Sequence, residues 1–201
     1  MKRTRILTIA WMVGICLLYG SHLLHLRADF PNFSPWMDYS KYTDEGWYGS
    51  AAIRHFLNGY WRVPGDFNPA AALPVWPLLE GMVFRFTGVS LIAARLLVLV
   101  VFAGNLLLTY ALIRTQHRQP MALLGATIAA ASAFLYAFSR LAILEPLLVF
   151  WTLLSWLLAL HVPKVSSTKL RYALLAAVGI LTCLQILTKT TAIFLIPSTV
   201  Y

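Results

Sequence analysis

The stretch PVWPLLEGMVFRFTG, residues 74–88, decides how this chain is folded. It is 15 residues long, short of the roughly 20 apolar residues that a spanning helix needs. It also carries Glu80 and Arg85, whose burial in hydrocarbon is expensive. Aromatic residues interleaved with charges suit a helix lying in the membrane interface. Charge placement tests the choice. If 74–88 lies on the surface, Lys2/Arg3/Arg5, Arg114/Arg118 and Lys164/Lys169/Arg171 all fall on the cytoplasmic side. If it spans, the last two clusters are placed outside. Cytoplasmic loops favour Lys and Arg, so the surface reading is adopted.

Outward from that stretch, apolar runs predict spans at about 6–26, 91–113, 121–139, 142–161 and 172–188, with a further run from Thr190 that stops at Tyr201. The fold class expected is all-α: a polytopic transmembrane helical bundle with amphipathic interfacial helices in the first outer loop. Composition agrees, with 60% hydrophobic and 11% charged residues and a mean hydropathy of +0.73. A soluble domain is about a quarter charged. The net charge of +9 sits in short clusters between apolar runs, with no single basic face, so nucleic acid is not expected as a partner. Lys2-Arg3-Thr4-Arg5 and the run after it lack a small-x-small cleavage site, so the first run reads as an uncleaved helix with a cytoplasmic amino terminus. Cys16 and Cys183 lie inside apolar runs, and the His22/His25 pair lacks partners at ligand spacing. Neither a disulfide framework nor a metal site is indicated.

The polar segment 27–73 is then outside the cytoplasm. It holds Asp29, Asp38, Asp44, Glu45 and Asp66, five of the seven acidic residues. Asp44 to Asn58 reads as a short amphipathic helix, with Thr43 or Asp44 capping its start and Asn58-Gly59 its end. The helix dipole would lower the pKa of the Asp44-Glu45 pair unless burial opposes it. A carboxylate at a membrane surface can act as a general base toward a lipid-borne substrate. The plainer reading is solvated helix-start chemistry. Trp36, Tyr39, Tyr42, Trp47, Tyr48, Tyr60 and Trp61 form either an interfacial belt or a stacking surface for sugar rings.

Arg95, Arg140, Glu145 and Lys189 fall near the outer ends of the predicted spans. Basic residues are less favoured there, which suggests an anionic ligand such as a phosphate or diphosphate headgroup. The alternative is snorkelling, or an Arg140–Glu145 pair that only closes a turn.

The order of features resembles the GT-C glycosyltransferases of family 39, the protein O-mannosyltransferase and aminoarabinose-transferase group. A basic amino terminus and one span lead to DExxY, then a proline-led interfacial helix ending in FTG, an outer arginine, SRLAILEP and LTKTT. The resemblance implies a GT-C bundle that takes a sugar from a polyprenyl-phosphate donor and passes it to a protein or lipid acceptor outside the cytoplasm. It makes Asp44 the catalytic carboxylate with Glu45 its neighbour, and Tyr48 the aromatic that follows on the same helix. Arg95, Glu145 and Lys189 match substrate-contacting positions, and Arg140 joins them as a phosphate-stabilising cation. Trp47 stands where the aminoarabinose transferases have arginine, Ala72-Leu73-Pro74 lacks their lysine, and Thr190 replaces a glycine. These departures point away from aminoarabinose or lipid A substrates.

The mechanism implied is inverting: Asp44 takes the acceptor proton while the polyprenyl phosphate leaves. No P-loop and no GxGxxG after a strand is present, which fits a lipid-linked donor, and no cofactor is expected. The protein is expected in a bacterial inner membrane. Because Tyr201 falls inside an apolar run too short to span, the chain is expected to be the amino-terminal part of a larger enzyme, inactive alone. The competing reading is a non-catalytic membrane protein that holds a lipid headgroup, with Asp44 only capping a helix.

Overall fold

Hydrocarbon offers a backbone no hydrogen-bond partner but itself, so long apolar runs become helices. A computed structural model describes residues 2–28, 44–66 and 73–200, with side chains from Arg5 through Ser198. Among the described residues there is no strand. The helices are α1 (Lys2–Ser21), α2 (Gly46–Asn58), α3 (Val75–Thr87), α4 (Leu91–Arg114), α5 (Gln119–Ala131), α6 (Ala133–Phe138), α7 (Glu145–Ala159), α8 (Thr168–Thr188) and α9 (Ile196–Val200). Short 3-10 turns at Val162–Lys164 and Thr190–Leu195 follow α7 and α8.

Among the described residues, three segments are long and apolar enough to cross a membrane: Leu91–Arg114, Glu145–Lys164 and Thr168–Thr188. The chain is thus an all-helical integral membrane protein. Helix α4, at 24 residues, is about 36 Å long and exceeds the roughly 30 Å hydrocarbon core. Helix α3 has 13 residues, about 20 Å, and cannot cross unaided. It packs against α2 and also touches α4 and α8. Around them α4 packs on α5 and α7, α7 on α8, and α1 on α5.

Several boundaries differ from the sequence reading for identifiable reasons. The first helix stops at Ser21, short of Leu26, because residues 22–27 tighten into consecutive turns. Those turns release carbonyls that two buried or half-buried arginines take up. The run expected as one span at 121–139 is two helices broken at Ser132. Its backbone is extended there, and its hydroxyl accepts from the Leu135 amide at 3.3 Å to start α6. Helix α7 starts at Glu145, with Pro146 in its first turn, where no amide partner is needed. Helix α8 starts at Thr168, capped by the Ser167 hydroxyl at 3.5 Å. Helix α2 ends as expected at Gly59, whose φ of +80° suits glycine. Its start differs: the capping position is Glu45, which makes no side-chain cap. Thr43, Asp29, Asp38, Trp36, Tyr39 and Tyr42 lie outside the described residues.

The main core joins α2, α3, α4 and α7 through Ala52, Trp76, Phe84, Val98, Ala142 and Leu147. Tyr48 and Ile53 of α2 pack against it.

Candidate functional site

Adjacent residues on a helix project about 100° apart, and the Asp44-Glu45 pair divides accordingly. Glu45 turns inward and is 4% exposed, while Asp44 faces outward. Arg95, from the second turn of α4 and fully buried, grips Glu45 with one edge of its guanidinium. Its Nε donates to Oε1 at 2.7 Å and its Nη2 to Oε2 at 2.6 Å. The Ala142 amide donates to the same Oε1 at 2.7 Å. Arg95 Nη1 donates to the Leu26 and Ala28 carbonyls at 2.7 and 3.2 Å. One buried ion pair thereby ties together the turn after α1, the start of α2, α4 and the 139–144 turn.

Tyr48 lies one helical turn beyond Asp44, on the same face. Its hydroxyl stands close enough to Lys189, at the end of α8, for the two to interact. Lys189 Nζ donates to Glu145 Oε1 at the start of α7. Glu145 Oε2 is buried and has no partner among the described residues. Asp44, Tyr48, Glu145 and Lys189 thus come together from three helix ends.

The charges at this cluster are shifted by their surroundings. Asp44 is exposed, yet enclosure by protein raises its pKa; the charge of Glu145 adds to this, Lys189 partly offsets it, and Glu45 raises it further. Burial therefore overrides the helix dipole expected to lower it. Tyr48 is raised, by burial first and then by Glu145. Burial alone would lower Lys189, but its bond and charge interaction with Glu145 outweigh that and raise it.

Asp44 and Glu145 stand at one side of a cavity of about 330 Å³ whose other walls are largely apolar, including Phe102, Leu106, Phe134, Phe138 and Leu153. Asn105, Thr109 and Ser139 are polar residues that line it, and Asn105 Nδ2 donates to the Pro146 carbonyl at 2.9 Å.

The Arg140–Glu145 pair weighed from sequence does not form. Arg140 Nη2 donates to the Leu24 and His25 carbonyls at 2.6 and 2.5 Å, and Nη1 to the Tyr136 hydroxyl at 2.8 Å. The guanidinium lies 4.7 Å over the Tyr136 ring. Arg140 thereby holds the turns after α1. His22, without ligand-spaced partners in sequence, is fully buried with Ser139 at 2.8 Å and the Ala130 carbonyl at 3.2 Å.

Sequence reasoning missed two residues near the site. Asn105 stands alone within a long apolar run, and a polar side chain there signals a built contact. Glu80 reads from sequence as interfacial, whereas it is 2% exposed beneath α2. Only the three-dimensional pairing of α2 with α3 reveals that.

A family model described as dolichyl-phosphate-mannose-protein mannosyltransferase matches residues 5–201. No curated protein and no solved structure matches the chain.

Proposed function

Since the chain belongs to the dolichyl-phosphate-mannose-protein mannosyltransferase family, we propose that this GT-C membrane glycosyltransferase moves a sugar from a polyprenyl-phosphate donor to a protein hydroxyl, with Asp44 as base. The convergence of Asp44, Tyr48, Glu145 and Lys189 beside an apolar cavity is the observation that carries the reading. The acceptor oxygen gives its proton to Asp44 and bonds to the anomeric carbon from the face opposite the phosphate. The carbon–oxygen bond to phosphate breaks, and its electron pair leaves with the polyprenyl phosphate, inverting the centre. A raised pKa makes Asp44 a stronger base than an ordinary aspartate. Lys189, 30% exposed, is a cation available to the departing phosphate, sharing itself between that group and Glu145.

Glu45 and Arg95 serve as positioning residues on this reading. Both are buried and bonded to one another, and Arg140 is likewise committed to backbone carbonyls. The site lies at the end of the bundle opposite Arg114, Lys164 and Lys169, which supports a non-cytoplasmic reaction.

Transfer from a polyprenyl-phosphate mannose to a hydroxyl peptide, measured in membranes carrying the full-length enzyme, tests the proposal. Asp44→Asn should reduce turnover by about 10²–10⁴-fold while leaving membrane insertion intact. Near-normal transfer by that variant removes Asp44 from the mechanism. Transfer to a lipid hydroxyl alone would change the acceptor and keep the base.

A further inference from the structure

Glu80 takes no part in the transfer just described, yet its carboxyl is 2% exposed on α3, directly beneath the helix that bears Asp44. A side-chain β-carbon placed on Gly49 would stand 3.0 and 3.2 Å from the two Glu80 oxygens. Gly49 is one turn after Glu45, on the same face of α2, so the two carboxyls are neighbours down that face. Glu80 Oε2 has no hydrogen-bond partner among the described residues. An ionised carboxylate so enclosed would be costly, whereas the protonated acid is tolerated.

Among the described residues, three charged or titratable groups bear on it. From the start of α2 comes Glu45, whose charge acts on Glu80. From α4 comes Arg95, whose Nε and Nη2 are bonded to Glu45. Further along α2, His55 stacks on Trp61 at 4.0 Å, and Trp61 abuts Gly81, the residue after Glu80.

We propose that Glu80 is a positioning residue for the Asp44 turn: as a neutral acid it fills the space under Gly49, and on ionising it repels Glu45 and displaces α2. The proposal rests on Asp44 being the base. Burial first, and then Glu45, push the Glu80 pKa from 4.5 up to about 8. The folded state therefore keeps a proton that the unfolded chain releases. Its stabilising effect is full below about pH 4.5 and is lost as pH rises through about 8.

The experiment compares wild type with Glu80→Gln for transfer at pH 6 to 9.5 and for thermal unfolding at pH 5 to 9. Wild-type transfer should fall about tenfold per pH unit above pH 8, the limit for loss of one proton. Glu80→Gln should keep its pH 7 activity within about threefold and lose that alkaline fall. The wild-type unfolding midpoint should decline from pH 5 to 8 relative to the variant, and the two curves should run parallel above 8. Glu80→Leu, which fills similar space without a proton to lose, should show the same flattening if Glu80→Gln does not accumulate. An alkaline fall unchanged in either variant, or stability curves parallel throughout, overturns the proposal. So does loss of transfer at every pH in folded variants. If wild type transfers no sugar at any pH, the function proposed above fails separately, while the stability curves still decide the Glu80 proposal.

Discussion

Replacing Arg95 with methionine separates two roles for that arginine. Sequence reading makes it a phosphate contact; the structure engages it with Glu45 and with the Leu26 and Ala28 carbonyls. Arg95→Met removes two charge-assisted bonds and leaves the Glu45 carboxylate 4% exposed, with the Ala142 amide still donating to it. Breaking one partner out of a buried ion pair costs about 3–5 kcal/mol. For a chain of this size each kcal/mol moves the unfolding midpoint by about 2–4 °C, so the variant should unfold roughly 6–20 °C lower. The double variant Glu45→Gln with Arg95→Met discards both charges and should recover part of that loss, because no charge stays buried alone. Tryptophan fluorescence of detergent-solubilised protein follows the transition, with seven tryptophans as reporters. A single variant that unfolds within about 2 °C of wild type while its donor KM rises at least tenfold would refute the positioning role and restore Arg95 as a phosphate contact. A double variant less stable than the sum of the two singles would refute the pairing argument.

Glu145→Gln removes the charge that helps raise Asp44 and the partner that raises Lys189. Asp44 then titrates lower, so the acid limb of transfer should move to lower pH, and an unmoved limb in the pH–rate profile would count against Asp44 as the titrating base. Gly49→Ala places a β-carbon 3.0 Å from Glu80 Oε2, an overpacking worth about 1–3 kcal/mol. That loss should exceed the helix gain of about 1 kcal/mol, and combining it with Glu80→Ala should relieve it. A Gly49→Ala protein as stable as wild type in thermal unfolding would show that α2 and α3 are not in tight contact there.

What the sequence made legible follows from the physics of its signals. Apolar runs report helices because hydrocarbon leaves no alternative, and α4, α7 and α8 were all visible that way. Helix ends were less legible, since they depend on tertiary partners. The early stop at Ser21 depends on Arg95 and Arg140 taking the carbonyls that follow. The break at Ser132 depends on a hydroxyl serving as a cap in the middle of an apolar run. At the site, residue types suggested which groups matter, and outer charges suggested the end of the bundle. Which cation meets which anion was not readable, because pairing is set by helix packing: Glu145 takes Lys189, whereas Arg140, five residues away in sequence, turns to the α1 side.

The adjacent carboxylates illustrate how one local choice serves two ends. A buried ion pair seldom adds net stability over well-packed apolar residues, because desolvation opposes the Coulomb attraction. Its directional fork nevertheless permits few arrangements of the four segments it joins. Glu45 accepts from the α4 guanidinium and from the 139–144 turn, and its partner Arg95 fixes the chain leaving α1. The orientation of Glu45 then sets the azimuth of Asp44, which is one residue earlier and rotated about 100° toward the cavity. A base must stand within hydrogen-bond reach of the proton it takes, and a small misplacement is costly in rate. On the proposed mechanism the inward carboxylate therefore makes the outward one usable: its rigid tether sets where the second can point.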